Sequence, residues 1–264
     1  MIRPMSETHL WDRAASLPVP VDGDLRPELV SLPLGLPSVD DLFTFARDAE
    51  LRFVTLRMRI EDRTRTAVGE HRQVLDVAIR HPGHARVSTS DPQLGTAASY
   101  ETWISDGETV RTYSAIHRLG TQRPVRRSVV GLDDPDLPGF SKVYRPRTAL
   151  PMETLPDTFI HPAGFCQNVL ATGACWVSGT AEFDQREAVV LECDHPRTTE
   201  VETDRPDHHL RVMFDRETGA IVQLIETVGE TETRNAVVVG LVPDAPLAPG
   251  TFDFTFPTGT TLIY

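Results

Sequence analysis

The sequence predicts a mainly β fold of the α+β class. It reads as one large, curled antiparallel sheet, an open and unclosed β-barrel, with a short helical lid over the concave face. Three observations carry this. From Arg52 onward apolar residues recur with period two, the spacing that sends alternate side chains to one face of a strand. The runs are separated by turn chemistry, as at His81-Pro-Gly-His84, Asp106-Gly107 and Asp215-Arg-Glu-Thr-Gly219. Helical spacing is confined to short stretches, so little helical mass is available to cover the sheet. A curved sheet so placed fills its concavity with its own side chains or leaves room for an apolar guest.

Residues 1–37 are punctuated by Pro18, Pro20, Pro27, Pro33 and Pro37, each of which bars a regular helix or central strand. They read as an extended N-terminal arm, with Leu10-Trp11 and the stretch 29–36 as docking points. Residues 38–264 read as a single domain. Its first helix begins at Ser38, where Ser38-Val-Asp-Asp41 is a variant of the capping box, and Leu42, Phe45, Ala46 and Ala49 follow at helical spacing. Strand alternation then takes over. Val54, Leu56, Met58 and Ile60 share one face and Arg57 and Arg59 the other; Leu75, Val77 and Ile79 repeat the pattern. Strands follow at 85–89, 99–105 and 109–114, with extensions at 116–119 and 125–130. Residues 131–172 break the rhythm with Pro146, Pro151, Pro156 and Pro162 and read as an irregular lid insertion, with helical turns at 155–160 and 164–170. Strands return at 175–183, 186–193, 208–214, 220–227 and 231–242.

The chain has 264 residues and a net charge of −12, which argues against nucleic acid and anionic membrane surfaces as partners. Lys142 is the only lysine, a coding bias of a GC-rich genome such as an actinobacterium's. No stretch approaches the ~18 apolar residues of a transmembrane helix, and residues 1–20 lack the apolar core of an export signal. As written, the chain reads as cytoplasmic.

Four passages resemble a known family. Tyr100 to Tyr113 resembles its hairpin turning at Asp-Gly and returning with an aromatic. Val177 to Glu192 resembles a second hairpin, with Gln185 where glycine is common. Leu210 to Val222 resembles its strand-Asp-x-Glu-Thr-Gly-strand passage, and Phe252-Asp-Phe-Thr-Phe-Pro257 its aromatic-rich terminal strand. The family is that of lipoprotein carriers of the LolA type, sigma-factor regulators of the RseB type and mycobacterial lipid-binding lipoproteins. The resemblance implies an open barrel with a helical lid and a cavity for acyl chains or another hydrophobic group. It also implies export and no catalysis.

The expected function is therefore to hold a hydrophobic small molecule or lipid. Leu56, Met58, Trp103 and Phe214 are the expected ligand-binding residues of the sheet, and Phe159, His161, Phe165 and Leu170 those of the lid. An alternative is a regulator that binds a protein partner through the arm. Cys193-Asp194-His195 with His208-His209 is the best metal or thiol–imidazole candidate, but its spacing matches no closed zinc pattern. No metal, cofactor or catalytic residue is expected. Cys166 and Cys175 would bridge only if their segment folds back; otherwise they are small buried hydrophobes. Arg57, Arg59, Arg63 and Arg65 form a basic stripe that reads as a solvated strand face or as a clamp for a carboxylate or phosphate.

Overall fold

The computed structural model describes residues 29–94, 99–125, 147–152, 154–196 and 207–263. Its strands are β1 (Thr55–Thr66), β2 (Gly69–Arg80), β3 (His84–Ser90), β4 (Tyr100–Asp106), β5 (Thr109–Ser114) and β6 (Leu119–Pro124), then β7 (Ala174–Phe183), β8 (Arg186–Asp194), β9 (His208–Asp215), β10 (Ile221–Val228), β11 (Thr231–Pro243) and β12 (Thr261–Ile263). The helices are α1 (Val39–Arg47), α2 (Leu155–Ile160) and α3 (Pro162–Asn168). All twelve strands join one sheet in the order β12-β6-β5-β4-β3-β2-β1-β11-β10-β9-β8-β7. β7 and β12 stand at its two edges, so the sheet curls without closing.

The register shows why these sequences make this sheet. Leu56, Met58 and Ile60 of β1 stand opposite Ile79, Val77 and Leu75 of β2. Ile79 and Val77 continue to Ala85 and Val87 of β3. Toward the other edge, Leu224 of β10 faces Val212 of β9, which faces Leu191 of β8. A period-two pattern therefore yields a continuous apolar inner face from β3 through β2, β1, β11, β10 and β9 to β8. Against it pack Leu42 and Ala46 of α1, Phe159 and Ile160 of α2, Cys166 of α3 and Leu170. Phe159, Phe214, Leu56 and Leu191 are fully buried. Burial of side chains this large stabilises the fold by roughly 1.5–3 kcal/mol each.

The helices start where the sequence says they should. Ser38 Oγ accepts from the Asp41 N–H at 3.1 Å, and the Asp41 carboxylate accepts from the Ser38 N–H at 3.2 Å. This closes the capping box in its Asp form. Asp40 and Asp41 lie at the positive end of the helix dipole and Arg47 at the negative end. Pro162 separates α2 from α3, because the residue before a proline avoids helical geometry; His161 accordingly has φ −115° and ψ 60°.

Three sequence expectations are corrected. Val54 precedes β1 and is exposed rather than inward-facing, its N–H held by Asp244 Oδ1 at 2.7 Å. The last strand of the first half is Leu119–Pro124, with Ile116 exposed in the preceding turn; residues 126–130 lie outside the described residues, as do 131–146 of the expected insertion. Phe252–Pro257 is not a strand. It belongs to a strap that crosses the outer face from β11 and delivers β12, which pairs with β6 in parallel. A crossing connection permits parallel pairing where a hairpin would not.

The strap is fixed by aromatic contacts. The Phe252 ring lies 5.5 Å from His84, with the Arg80 guanidinium 5.1 Å above it. Phe254 packs on Tyr113 at 6.0 Å and edge-on to Phe256 at 5.2 Å. Phe256 occupies the space over Gly120, where a Cβ would come within 2.5 Å of its ring.

Candidate functional site

The inner face is filled over only part of its width. From β1 through β11 to β8 the helices cover it, but from β2 to β6 its character changes. One row runs Val87, Trp103, Thr112, Thr121; the next runs Leu75, Thr89, Glu101, Ser114, Leu119. These rows floor a cavity of about 330 Å³, walled by Pro151, Thr154 and Pro156 at the start of α2. That volume lies at the small end of the range for ligand sites. The apolar surface comes from Leu75, Val87, Trp103, Leu119 and the two prolines. Thr112 and Thr121 satisfy each other across the strands at 2.6 Å. Ser114 Oγ is shielded from solvent and has no hydrogen-bond partner among the described residues. Beside it stands Glu101, its direct cross-strand neighbour.

Of the residues singled out from the sequence, Trp103 lines this cavity. Leu56, Met58, Phe159, Leu170 and Phe214 come together in the packed core, each at most 3% exposed. Phe165 is half-buried at the margin of that core. His161 stands apart, in a polar knot between the helices. Its Nδ1 lies 2.9 Å from Asp157 Oδ1, and its Nε2 lies 3.4 Å from Glu50 Oε2, an ion-pair distance without hydrogen-bond alignment. Burial opposes its protonation, but the two carboxylates outweigh that and raise its pKa to about 9. Val87, Glu101, Thr112, Ser114 and Leu119 were missed. Period two along the chain does not reach all of them; they follow from hairpin register, which sets Trp103 opposite Val87 and Thr112, Glu101 opposite Ser114, and Ser114 opposite Leu119.

Cys193 and His209 do not form a thiol–imidazole pair. Cys193 faces the buried inner side opposite Leu210, whereas His209 lies on the other face opposite Asp194. The hydrogen bond with Cys175, and burial, push the Cys193 thiol up, away from a nucleophilic thiolate. His209 sits between Asp194 Oδ1 at 2.7 Å and Glu192 Oε2 at 2.9 Å. All three cysteines are free, and Cys175 stands opposite Cys193 rather than bridging to Cys166. Among the described residues no group of His, Cys, Asp and Glu is arranged to hold a metal ion, and no helix is long and apolar enough to cross a membrane.

No family model matches the sequence, and no curated protein matches it. Solved structures do match. The Pseudomonas aeruginosa MucA/MucB complex contains a chain with 13% identity and a TM-score of 0.47, covering 82% of this chain and 61% of that one. A LolA superfamily protein from Nitrosomonas europaea matches at 9% identity and TM-score 0.35, covering 82% and 98%. The Mycobacterium tuberculosis lipoprotein LppX matches at 8% identity and TM-score 0.39, covering 79% and 98%. The likeness is one of fold. The chain spans about three fifths of the length of the MucB chains it matches.

Proposed function

We propose that the protein is a binding protein that holds a hydrophobic ligand in the cavity between β2–β6 and the start of α2. The observation that carries this is the unfilled inner face: apolar walls of Leu75, Val87, Trp103 and Leu119 beside the Glu101 carboxylate and the Ser114 hydroxyl, which has no partner among the described residues. Burying each methylene of a guest contributes ~0.8 kcal/mol, so affinity needs no strong polar contact. A buried hydroxyl without a partner costs stability, and a ligand's polar end would satisfy it. Glu101 makes an uncharged donor such as an alcohol a better fit there than a carboxylate.

Native mass spectrometry of the purified chain, followed by solvent extraction, tests the reading. A stoichiometric apolar molecule that disappears in Trp103→Arg, while the fold is retained, is the expected result. Decanol should also bind more tightly than decanoate. Unchanged ligand content in Trp103→Arg would remove the cavity from consideration.

A second reading, a regulator that binds a protein partner through the arm, draws on the arm's exposed side chains. Arg52 donates to the Val30 carbonyl at 2.8 Å, and Arg216 to the carbonyls of Pro33 and Gly35. These bonds pin the backbone while Leu34 and Leu36 face solvent. An apo mass, together with partner capture lost in Leu34→Ser/Leu36→Ser, would favour it.

A further inference from the structure

The outer face carries a cavity that this function does not use. About 790 Å³ lies between the sheet and the strap that follows β11. The register fixes its floor. Arg57 of β1 stands opposite Ala78 of β2, and Ala78 opposite Arg86 of β3. One row along, Gly240, Arg59, Asp76 and Ser88 lie in line. The floor is thus made of small residues, Ala78, Gly240 and Ser88, flanked by long guanidinium side chains. Adjacent strands are ~4.8 Å apart, so the backbones of Arg57 and Arg86 stand roughly 10 Å apart across Ala78. Two arginines at that separation are long enough to converge on one group seated over the alanine. Pro246, Leu247, Ala248 and Thr251 of the strap form the facing wall.

The charges lining this groove are three guanidiniums against one carboxylate. Arg59 is engaged by Asp76 at 3.2 Å. Arg86 donates to the Thr251 carbonyl at 3.2 Å, which orients it along the strap. Arg57 has no carboxylate partner among the described residues. On a chain of net charge −12, this groove concentrates positive charge over a small-residue floor. Guanidinium forks match the planar and tetrahedral oxyanions in hydrogen-bond geometry.

We propose that this groove is a binding site for a small oxyanion, a phosphate or a carboxylate, held between Arg57 and Arg86 over Ala78. It lies on the opposite face of β1–β3 from the hydrophobic cavity and stands independently of it. Calorimetric titration of the full chain at low ionic strength with inorganic phosphate, and separately with succinate, tests the assignment. Saturable binding of at least one anion is expected. Arg57→Glu should weaken it at least tenfold, as should Arg57→Gln/Arg86→Gln. Arg63→Gln should leave it unchanged, because Arg63 pairs with Glu232 and does not line the groove. Preference for phosphate identifies a phosphorylated ligand and preference for succinate a carboxylate. Failure of both anions to saturate, or wild-type binding by Arg57→Glu and the double variant, overturns the site.

Discussion

His161 and His81 show how single residues tie this fold to pH. His161 is raised to about 9, so its stabilising effect is fully present below the unfolded value of ~6.5 and is lost as pH rises through 9. His81 behaves oppositely. It stacks on Phe53 at 5.2 Å and its Nδ1 meets Thr148 Oγ1 at 2.7 Å, and burial lowers its pKa to about 4. Its contribution is present above ~6.5 and is lost as pH falls through 4. Thermal unfolding followed from pH 4 to 10 should therefore weaken on both sides. His161→Gln should flatten the alkaline limb and alter the acid limb much less, because burial is the main cause of the low His81 pKa and the His161 charge only a lesser one. An alkaline limb of unchanged steepness in that variant would show that the Glu50–His161–Asp157 knot does not set it. Other residues were legible only in part. Asp184 and Gln185 both take positive φ, 46° and 62°, as a two-residue hairpin turn demands, a conformation that glycine adopts at lower cost. Asp215 reads from the sequence simply as a turn residue, yet it is buried, accepts from Thr218 N–H and Oγ1, and accepts from Arg186 Nε and Nη2 at 2.7 and 2.9 Å.

At the scale of elements, strands were easy to read and the strap was not. The boundaries at 186–193 and 231–242 fall within one residue of β8 and β11, because period two and turn chemistry agree there. The Phe252-Asp-Phe-Thr-Phe256 alternation has the same period but no ladder. Its aromatics are inserted against His84, Tyr113 and Gly120 on the outer face, and periodicity cannot tell a paired strand from an extended chain lying across one. The strap therefore depends on side-chain packing rather than backbone bonds. Phe252 is buried, so Phe252→Ala should cost about 3 kcal/mol in denaturant unfolding. Gly120→Val should displace Phe256 and detach β12 with it. A Gly120→Val variant whose strap stays protected from proteolysis would show that the ring is not what holds it.

The whole molecule divides its inner face into a filled half and a hollow half, and this division decides where the sheet is stiff. Strands β1 and β8–β10 carry a row of fully excluded side chains, including Leu56, Val189, Leu191, Val212 and Phe214, sealed by α1–α3. Strands β4–β6 face the cavity with Glu101, Thr112, Ser114 and Thr121 instead. Local opening is cheapest where few apolar contacts must break. In native-state hydrogen exchange, amides of β8–β10 should exchange only on global unfolding, and those of β4–β6 by a lower-energy local opening. The sequence held the alternation that builds both halves. It did not show where the helices would stop, since that depends on how far α2 reaches across the sheet rather than on any residue in β4–β6. A guest in the cavity supplies the missing contacts on the hollow side alone. Saturating decanol should therefore slow exchange in β3–β5 severalfold and leave β8–β10 at their global rate. Uniform protection across all strands would mean the ligand binds elsewhere and merely shifts global stability.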